Sequence, residues 1–181
     1  VVLYAIRGLN ILKFINFNEN RLFIDETSIL DPIENQVQIE IHSSGVNRAD
    51  LLQKKGHYPP PKGESEILGL ECAGIISKIG NSSKIFKVGD KVCAILGGGG
   101  YAEFVNVDER QVMPLPSNIT LLEGGALSET ILTVYENIFN ISKFKKGETI
   151  LIHGGSSGIG TTAISILKNY TDKIFATAGS D

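Results

Sequence analysis

The stretch Thr149-Ile-Leu-Ile-His153, followed directly by Gly154-Gly-Ser-Ser-Gly-Ile-Gly160, decides the fold class of this chain. Its first five residues are mostly apolar and do not alternate, which is typical of a parallel strand buried on both faces. After the turn, one apolar helix face is predicted from the spacing of Ile159, Ala163, Ile166, Leu167 and Tyr170. A strand, a glycine-rich turn and an amphipathic helix in this order predict the entry to a dinucleotide-binding βαβ unit.

Two registers of the glycine fingerprint fit this turn. In the first, Gly155, Ser157 and Gly160 occupy the three positions, and a serine replaces the middle glycine. In the second, the positions fall on Gly158, Gly160 and Ala163. We favour the first, because the turn must begin where the strand ends and because Ser157 can donate its hydroxyl to a phosphate. The residues of the turn predicted to bind the cofactor are Gly155, Ser156, Ser157, Gly158, Ile159 and Gly160.

The end of the next predicted strand, Lys173–Thr177, indicates which nucleotide is preferred. NAD-selective sites place a carboxylate there to accept the ribose 2′-hydroxyl. No carboxylate precedes Ser180; Gly179 leaves room for a 2′-phosphate, and Ser180 can bind it through a hydrogen bond. Asp181 argues the other way if the turn is shorter. The sequence therefore predicts NADPH as the cofactor.

Composition excludes several classes of protein. The chain has 181 residues, of which 42% are hydrophobic and 20% charged, with a net charge of −3. This is an ordinary globular composition without a basic surface for nucleic acid or an anionic membrane. Cys72 and Cys93 follow neither a metal-ligand nor a disulfide pattern, and no apolar run reaches membrane-spanning length. We therefore expect a cytoplasmic protein with no nucleic-acid or membrane partner.

The chain before the glycine turn changes from strands to helices. Val37, Ile39 and Ile41 alternate with polar residues and should share a buried face. The strands predicted up to about residue 115 are Val1–Ile6, Ile11–Ile15, Arg21–Ile24, Val37–Ile41, Ala73–Ile79, Lys91–Ile95, Tyr101–Val107 and Gln111–Met113. Such a series of short strands predicts a closed or partly open β-barrel. Pro114 and Pro116 then break the strands, and an apolar face over Thr130–Ser142 predicts a helix.

The fold class predicted from these patterns is α/β plus β. A complete doubly wound nucleotide domain has six strands, whereas two are predicted here. We therefore expect a barrel domain over residues 1–116 and, over 117–181, the N-terminal part of a nucleotide-binding domain whose C-terminal part is missing. Such a fragment should be a poor enzyme by itself.

Several segments resemble the zinc-free quinone oxidoreductase branch of the medium-chain dehydrogenase/reductase superfamily, in particular the p53-inducible and zeta-crystallin-like members. The resembling segments are Val46–Gln53, Gly56–Pro59, Leu68–Gly74, Val88–Val92, Gly99–Phe104, Leu132–Tyr135 and His153–Gly160. The resemblance implies a GroES-like barrel followed by a Rossmann domain. It also implies a homodimer for the full-length protein.

The resemblance also bears on zinc. Zinc-dependent relatives carry a cysteine ligand where this chain has Asn47, and a histidine ligand where it has Leu70. An amide and an aliphatic side chain do not replace thiolate and imidazole around Zn²⁺. No metal site is therefore expected, and the cofactor supplies the hydride chemistry.

The same resemblance implies roles for three residues outside the turn, and each role has a structural alternative. Asn47 is assigned to the nicotinamide or substrate side, but it can instead cap a helix that begins at Arg48. Tyr58 is assigned to the substrate mouth, but it can be a packed loop aromatic. Thr133 is assigned to the nicotinamide ribose or diphosphate, but its hydroxyl can bond a helix carbonyl. For Asp50, capping or an ion pair with Arg48 is expected rather than catalysis.

The function expected from the resemblance is hydride transfer from NADPH to a quinone, without zinc. Two alternatives stay open: an NADPH-dependent enone or enoyl-thioester reductase, and a crystallin-like protein that binds NADPH without turnover. The turn also matches the short-chain dehydrogenase signature. That reading is weak, because Tyr170-Thr-Asp-Lys173 lacks the required Tyr-x-x-x-Lys spacing.

Overall fold

The computed structural model describes residues 11–19 and 21–179. The predicted strand Val1–Ile6 and the candidate residues Ser180 and Asp181 lie outside the described residues. The chain divides into two compact units, the first ending at Leu127 and the second beginning at Ser128. The boundary predicted between residues 116 and 117 stays a prediction.

The first unit is built mainly of antiparallel strands, with a five-stranded sheet in the order β6-β3-β4-β5-β7 and a separate β1–β2 hairpin. Its strands are β1 (Ile11–Phe17), β2 (Leu22–Ser28), β3 (Gln36–Ser43), β4 (Glu71–Ile79), β5 (Lys91–Ile95), β6 (Phe104–Asp108) and β7 (Val112–Pro114). Its helices are α1 (Arg48–Lys54), a 3₁₀ turn (Glu109–Gln111) and α2 (Leu121–Gly124).

The core of the first unit lies on one face of the five-stranded sheet. Val37 and Ile39 on β3 are fully buried, and Ile41 packs against the same cluster from a partly buried position. The alternation predicted for this strand is therefore confirmed. Ile76 and Val92 from β4 and β5 complete the centre of the cluster, also with 0% exposure.

The hairpin joins the segment before β6 and gives the unit the character of a partly open barrel. Phe14 forms an isolated antiparallel bridge with Ala102. The Ile15 N–H donates to the Tyr101 carbonyl at 2.8 Å, and the Glu103 N–H donates to the Lys13 carbonyl at 3.0 Å. The predicted GroES-like barrel architecture is confirmed.

Most strand boundaries differ from the prediction by a few residues, and two of the differences bear on how the strands pair. The strand predicted from Tyr101 begins at Phe104. Before it, the Tyr101 carbonyl and the Glu103 N–H bond to β1, while the Glu103 carbonyl accepts from the Ile41 N–H of β3 at 2.8 Å. Pro114 was expected to break the strands, yet it is the last residue of β7 and pairs with Val92. A proline is tolerated there because β7 is an edge strand.

The second unit contains the predicted βαβ element. Its parts are α3 (Ser128–Tyr135), a π-helical turn (Glu136–Ile141), β8 (Ile150–Ile152), α4 (Gly158–Leu167) and β9 (Ile174–Ala176). Strands β8 and β9 pair in parallel, with Leu151 opposite Phe175. The apolar residues of α3 and α4 pack around Val134, Ala163 and Leu167, which are almost fully buried.

Burial in the second unit is less complete than the sequence patterns predict. The prediction that β8 is buried on both faces is wrong for the described chain, because Leu151 is 56% exposed and its partner Phe175 is 60% exposed. One face of the two-stranded sheet packs on the helical cluster, and no described residue covers the other face to the same extent. Ile159 and Tyr170, predicted on the buried face of α4, are 45% and 41% exposed.

The helix predicted over Thr130–Ser142 is present, but it is not a uniform α-helix. It changes to π-helical hydrogen bonding after Tyr135, and the Ser142 N–H donates to the Asn137 carbonyl at 3.0 Å. Tyr135 lies on this helix and is 54% exposed, with the centroid of its ring 5.5 Å from that of Phe139.

Candidate functional site

The glycine turn of the second unit is closed by Ser157, the N-cap of α4. The Ser157 Oγ accepts a hydrogen bond from the Gly160 N–H at 3.0 Å and donates one to the Gly154 carbonyl at 2.7 Å. The hydroxyl proton that the sequence interpretation directed at a phosphate is therefore used inside the turn. Ser157 shapes the turn, and any contact with phosphate falls to the backbone.

Two backbone N–H groups at the start of α4 are left to bind an anion. The first four N–H groups of a helix have no partner within it. Here the Ser157 N–H donates to the Gly154 carbonyl at 2.9 Å, and the Gly160 N–H donates to Ser157 Oγ at 3.0 Å. Within the described part of the chain, no hydrogen bond is made by the N–H groups of Gly158 and Ile159, which lie at the positive end of the helix dipole.

Steric contacts favour the first register of the fingerprint. A Cβ at Gly160 would lie 2.3 Å from the Gly154 carbonyl oxygen, and one at Gly155 would lie 2.7 Å from the Cβ of Ala176. A Cβ at Gly158 would meet its nearest atom, in Thr130, at 3.6 Å, an ordinary contact. Glycine is thus needed at 155 and 160 for the close approach of turn, helix and second strand.

Thr177 ties this turn to the end of β9, and the sequence interpretation missed it. Its Oγ1 accepts from the Gly154 N–H at 3.2 Å and lies 3.3 Å from Nδ1 of His153. Its carbonyl accepts from the Gly155 N–H at 2.7 Å. The available signal was its place at the end of the second strand, the position that in such units faces the nucleotide.

The other nucleotide-side candidates lie in open positions of the second unit. Among the described residues beyond its chain neighbours, no atom lies within 4 Å of a Cβ built on Gly179. Thr133 and Ile159 line the same cavity of about 470 Å³ beside β8. The structure thus brings Thr133 close to the beginning of α4.

In the first unit, Asn47 is held between the start of α1 and strand β4. Asn47 is the N-cap of α1 and forms a capping box with Asp50, whose carboxylate accepts from the Asn47 N–H at 2.7 Å. The Asn47 Nδ2 donates to Oε1 of Glu71 at 2.8 Å. The capping alternative is therefore correct for the backbone position, while the side-chain amide is also directed to a buried carboxylate.

A buried polar cluster surrounds this contact. Asp50 and Glu71 are each 2% exposed. Asp50 accepts from the Gly69 N–H at 3.2 Å and from the Tyr101 hydroxyl at 2.9 Å, and no ion pair joins it to Arg48 within the described ranges. The pKa of Tyr101 is raised mainly by burial and, to a smaller extent, by the nearby Asp50 carboxylate. Tyr101 therefore stays a neutral donor at physiological pH.

Glu71 and Tyr101 were missed as members of this cluster, although both lie in segments that carry the family resemblance. The sequence signal that could have indicated them is that each lies next to glycines, Glu71 near Gly69 and Tyr101 after Gly100. Gly69 approaches Gly100 so closely that a Cβ on Gly69 would lie 2.6 Å from the Gly100 Cα. The glycine-rich connection at residues 97–100 is packed, with Gly98, Gly99 and Gly100 buried.

Tyr58, the other predicted catalytic residue, lies in the loop after α1. It is 43% exposed, and no hydrogen bond within the described part of the chain holds its hydroxyl. His42 and His57 are exposed. His153 was expected to end a buried strand, but it is exposed beside Thr177.

The positions that hold zinc in the metal-dependent relatives have no suitable donors here. Leu70 is 6% exposed and lies in the core, and the Asn47 amide is bound to Glu71. Among residues 11–19 and 21–179, no three His, Cys, Asp or Glu side chains group closely enough to hold a metal ion. Within these residues there is also no helix long and apolar enough to cross a membrane.

Residues 33–117 match the alcohol dehydrogenase GroES-like domain. Mouse quinone oxidoreductase is 33% identical over 151 residues, which are 83% of this chain and 46% of that protein. The chain belongs to the medium-chain dehydrogenase/reductase superfamily. A reducing polyketide synthase of Gibberella fujikuroi is 35% identical over 148 residues, which are 82% of this chain and 6% of that protein.

Solved structures of the same superfamily match residues in both units. Escherichia coli quinone oxidoreductase complexed with NADPH has a TM-score of 0.80 and 31% identity, over 93% of this chain and 52% of that chain. The CurK enoyl reductase has a TM-score of 0.83 and 27% identity, over 93% and 54%. This medium-chain dehydrogenase/reductase chain therefore spans about half the length of the related enzymes of similar fold.

Proposed function

We propose that the full-length protein transfers a hydride from NADPH to a quinone without a metal ion. The reaction takes the hydride of NADPH and one proton from solvent, and yields NADP⁺ and the hydroquinone. The observation that carries the proposal is the turn after β8, where Ser157 arranges the backbone so that the Gly158 and Ile159 N–H groups are left for a phosphate. The relation to quinone oxidoreductases of mouse and Escherichia coli supports the choice of acceptor.

The preference for NADPH over NADH rests on the end of β9. Thr177, Ala178 and Gly179 follow the strand, and none of them carries a carboxylate for a ribose 2′-hydroxyl. The open space at Gly179 leaves room for a 2′-phosphate. The residues proposed to bind the cofactor are those of the glycine turn, together with Thr133, Gly179 and Ser180.

The proposal that no zinc takes part is supported by the chemistry of two side chains. Asn47 and the buried Leu70 stand where the metal-dependent relatives have thiolate and imidazole ligands. Neither side chain suits Zn²⁺. In the proposed reaction Asn47 contacts the nicotinamide or the substrate, and Tyr58 lies at the substrate mouth.

A second acceptor class has a specific observation in its favour. The similarity to the CurK enoyl reductase and to a reducing polyketide synthase supports reduction of an enoyl thioester. In that reaction the hydride goes to the β-carbon and a proton to the α-carbon. A tyrosine acid beside the carbonyl would assist it, and Tyr58→Phe tests that role.

Kinetics with two acceptors and two cofactors test these proposals. The full-length protein is mixed with NADPH or NADH and with 1,2-naphthoquinone or crotonyl-pantetheine, and oxidation is followed at the nicotinamide absorbance. We expect NADPH oxidation with the quinone and weaker binding of NADH. Turnover with crotonyl-pantetheine and none with the quinone would replace the first proposal by the second. Tight NADPH binding with no turnover would favour a crystallin-like binding role. A homodimer and a cytoplasmic location stay predictions.

A further inference from the structure

We propose that Glu71 is a positioning residue that acts through Asn47, because its carboxylate fixes the amide that contacts the cofactor or the substrate. The inference rests on the proposed function, since it assumes that Asn47 touches one of these ligands. It adds a residue from β4 that makes no proposed ligand contact of its own.

Glu71, at the start of β4, is hydrogen-bonded to the side chain of Asn47. The carboxylate is buried, with 2% of Glu71 exposed, and its Oε1 lies 2.8 Å from the Asn47 Nδ2. On the helix side, the capping box with Asp50 holds the backbone of Asn47. Two protein segments thus restrict the rotation of one partly exposed amide.

The chemistry of the contact selects one orientation of this amide. An ionised carboxylate accepts hydrogen bonds and donates none. It therefore draws the NH₂ group of Asn47 towards β4 and disfavours the flipped amide, in which two oxygens would face each other. The contact is also buried, and a hydrogen bond is electrostatically stronger there than in water.

Gly45 provides the space that this arrangement needs. A Cβ on Gly45 would lie 2.1 Å from Oε1 of Glu71 and 3.0 Å from the Gly125 carbonyl oxygen. The side chain of Glu71 would have to move away from Asn47. Gly45→Ala thus perturbs the contact while leaving both partners chemically unchanged.

A double-mutant cycle in the full-length protein tests the proposal. Glu71→Met removes the acceptor, and Asn47→Ala removes the residue through which it acts. A bond to a charged group contributes about 1.5–3 kcal/mol, so we expect Glu71→Met to lower kcat/KM for NADPH oxidation roughly ten- to a hundred-fold. In the Asn47→Ala background the same substitution should change kcat/KM by less than about twofold.

Conservative and control variants separate positioning from general destabilisation. Glu71→Gln keeps an oxygen that can accept from Asn47 and should restore most of the activity. Gly45→Ala should reproduce the Glu71→Met defect. Glu109→Gln is the matched control, because Glu109 is another buried glutamate of the first unit, bonded to Ser83, Lys84 and Ile85. It should lower stability without changing kcat/KM.

A spectroscopic readout is independent of turnover. The side-chain NH₂ signals of Asn47, assigned through their loss in Asn47→Ala, should shift in ¹H–¹⁵N spectra of Glu71→Met and Gly45→Ala but not of Glu109→Gln. Equal effects of Glu71→Met with and without Asn47, or unchanged Asn47 signals, would overturn the positioning role. A wild-type protein that neither binds nor oxidises NADPH would instead overturn the proposed function, and this inference with it.

Discussion

The Ser157 hydroxyl accepts a hydrogen bond from the Gly160 N–H at 3.0 Å, and this single contact fixes both the start of α4 and the shape of the turn before it. The same hydroxyl donates to the Gly154 carbonyl, so one side chain connects the two ends of the turn. A serine at the middle fingerprint position therefore acts as a helix cap.

Removing this cap should weaken the second unit and its affinity for NADPH. Ser157→Ala is expected to lower the free energy of unfolding by about 1 kcal/mol, the usual effect of losing a helix N-cap. Urea unfolding and NADPH fluorescence titration measure the two effects. Ser165→Ala, at an exposed position in the middle of α4, is the matched control and should leave both unchanged.

Gly160→Ala should be more damaging than its neighbour Gly158→Ala. The new Cβ would collide with the Gly154 carbonyl oxygen at 2.3 Å. The next nearest atoms are main-chain atoms of Gly155, which have little room to move. At Gly158 the nearest atom is 3.6 Å away. We expect a clear loss of thermal stability for Gly160→Ala and a near-normal melting temperature for Gly158→Ala. Equal melting temperatures would contradict the packing of the turn.

Tyr101→Phe should destabilise the first unit by about 1.5–3 kcal/mol, because the Asp50 carboxylate loses a buried donor. The Tyr101 hydroxyl lies 2.9 Å from Asp50 Oδ2 and 3.2 Å from the Gly45 carbonyl oxygen. Denaturant unfolding measures the change. Tyr58→Phe removes the hydroxyl of a residue that is 43% exposed and should leave the stability unchanged. A normal unfolding midpoint for Tyr101→Phe would show that the cluster does not depend on this donor.

Alkaline pH should destabilise the protein through Cys72. Burial raises the pKa of this thiol from 9.0 to about 12. Between these values the unfolded chain loses the proton and the folded chain keeps it, so unfolding is favoured as the pH rises. Cys72 alone can lower the free energy of unfolding by at most about 1.4 kcal/mol per pH unit in this range. The free energy of unfolding, measured from denaturant curves between pH 8 and pH 11, should fall less steeply with pH for Cys72→Ala than for the wild type.

Local patterns in the sequence were sufficient for the elements and for the nucleotide turn. The period-two alternation at Val37–Ile41 and the order of strand, glycine turn and helix at 149–167 depend on neighbouring residues along the chain. The structure confirms both, since β3 lies in the core and β8 pairs in parallel with β9. The prediction that Pro114 breaks the strands was wrong, because an edge strand such as β7 tolerates a proline.

Contacts between distant segments could not be read in this way. Asn47 and Glu71 are 24 residues apart, and Gly154 and Thr177 are 23 apart. Sequence alone therefore determined a GroES-like barrel and the order of strand, glycine turn and helix. The tertiary structure decided that Ser157 caps α4, that Thr177 binds the turn and that Glu71 holds Asn47. Such contacts depend on which strands become neighbours, and that is set by burial of the whole core.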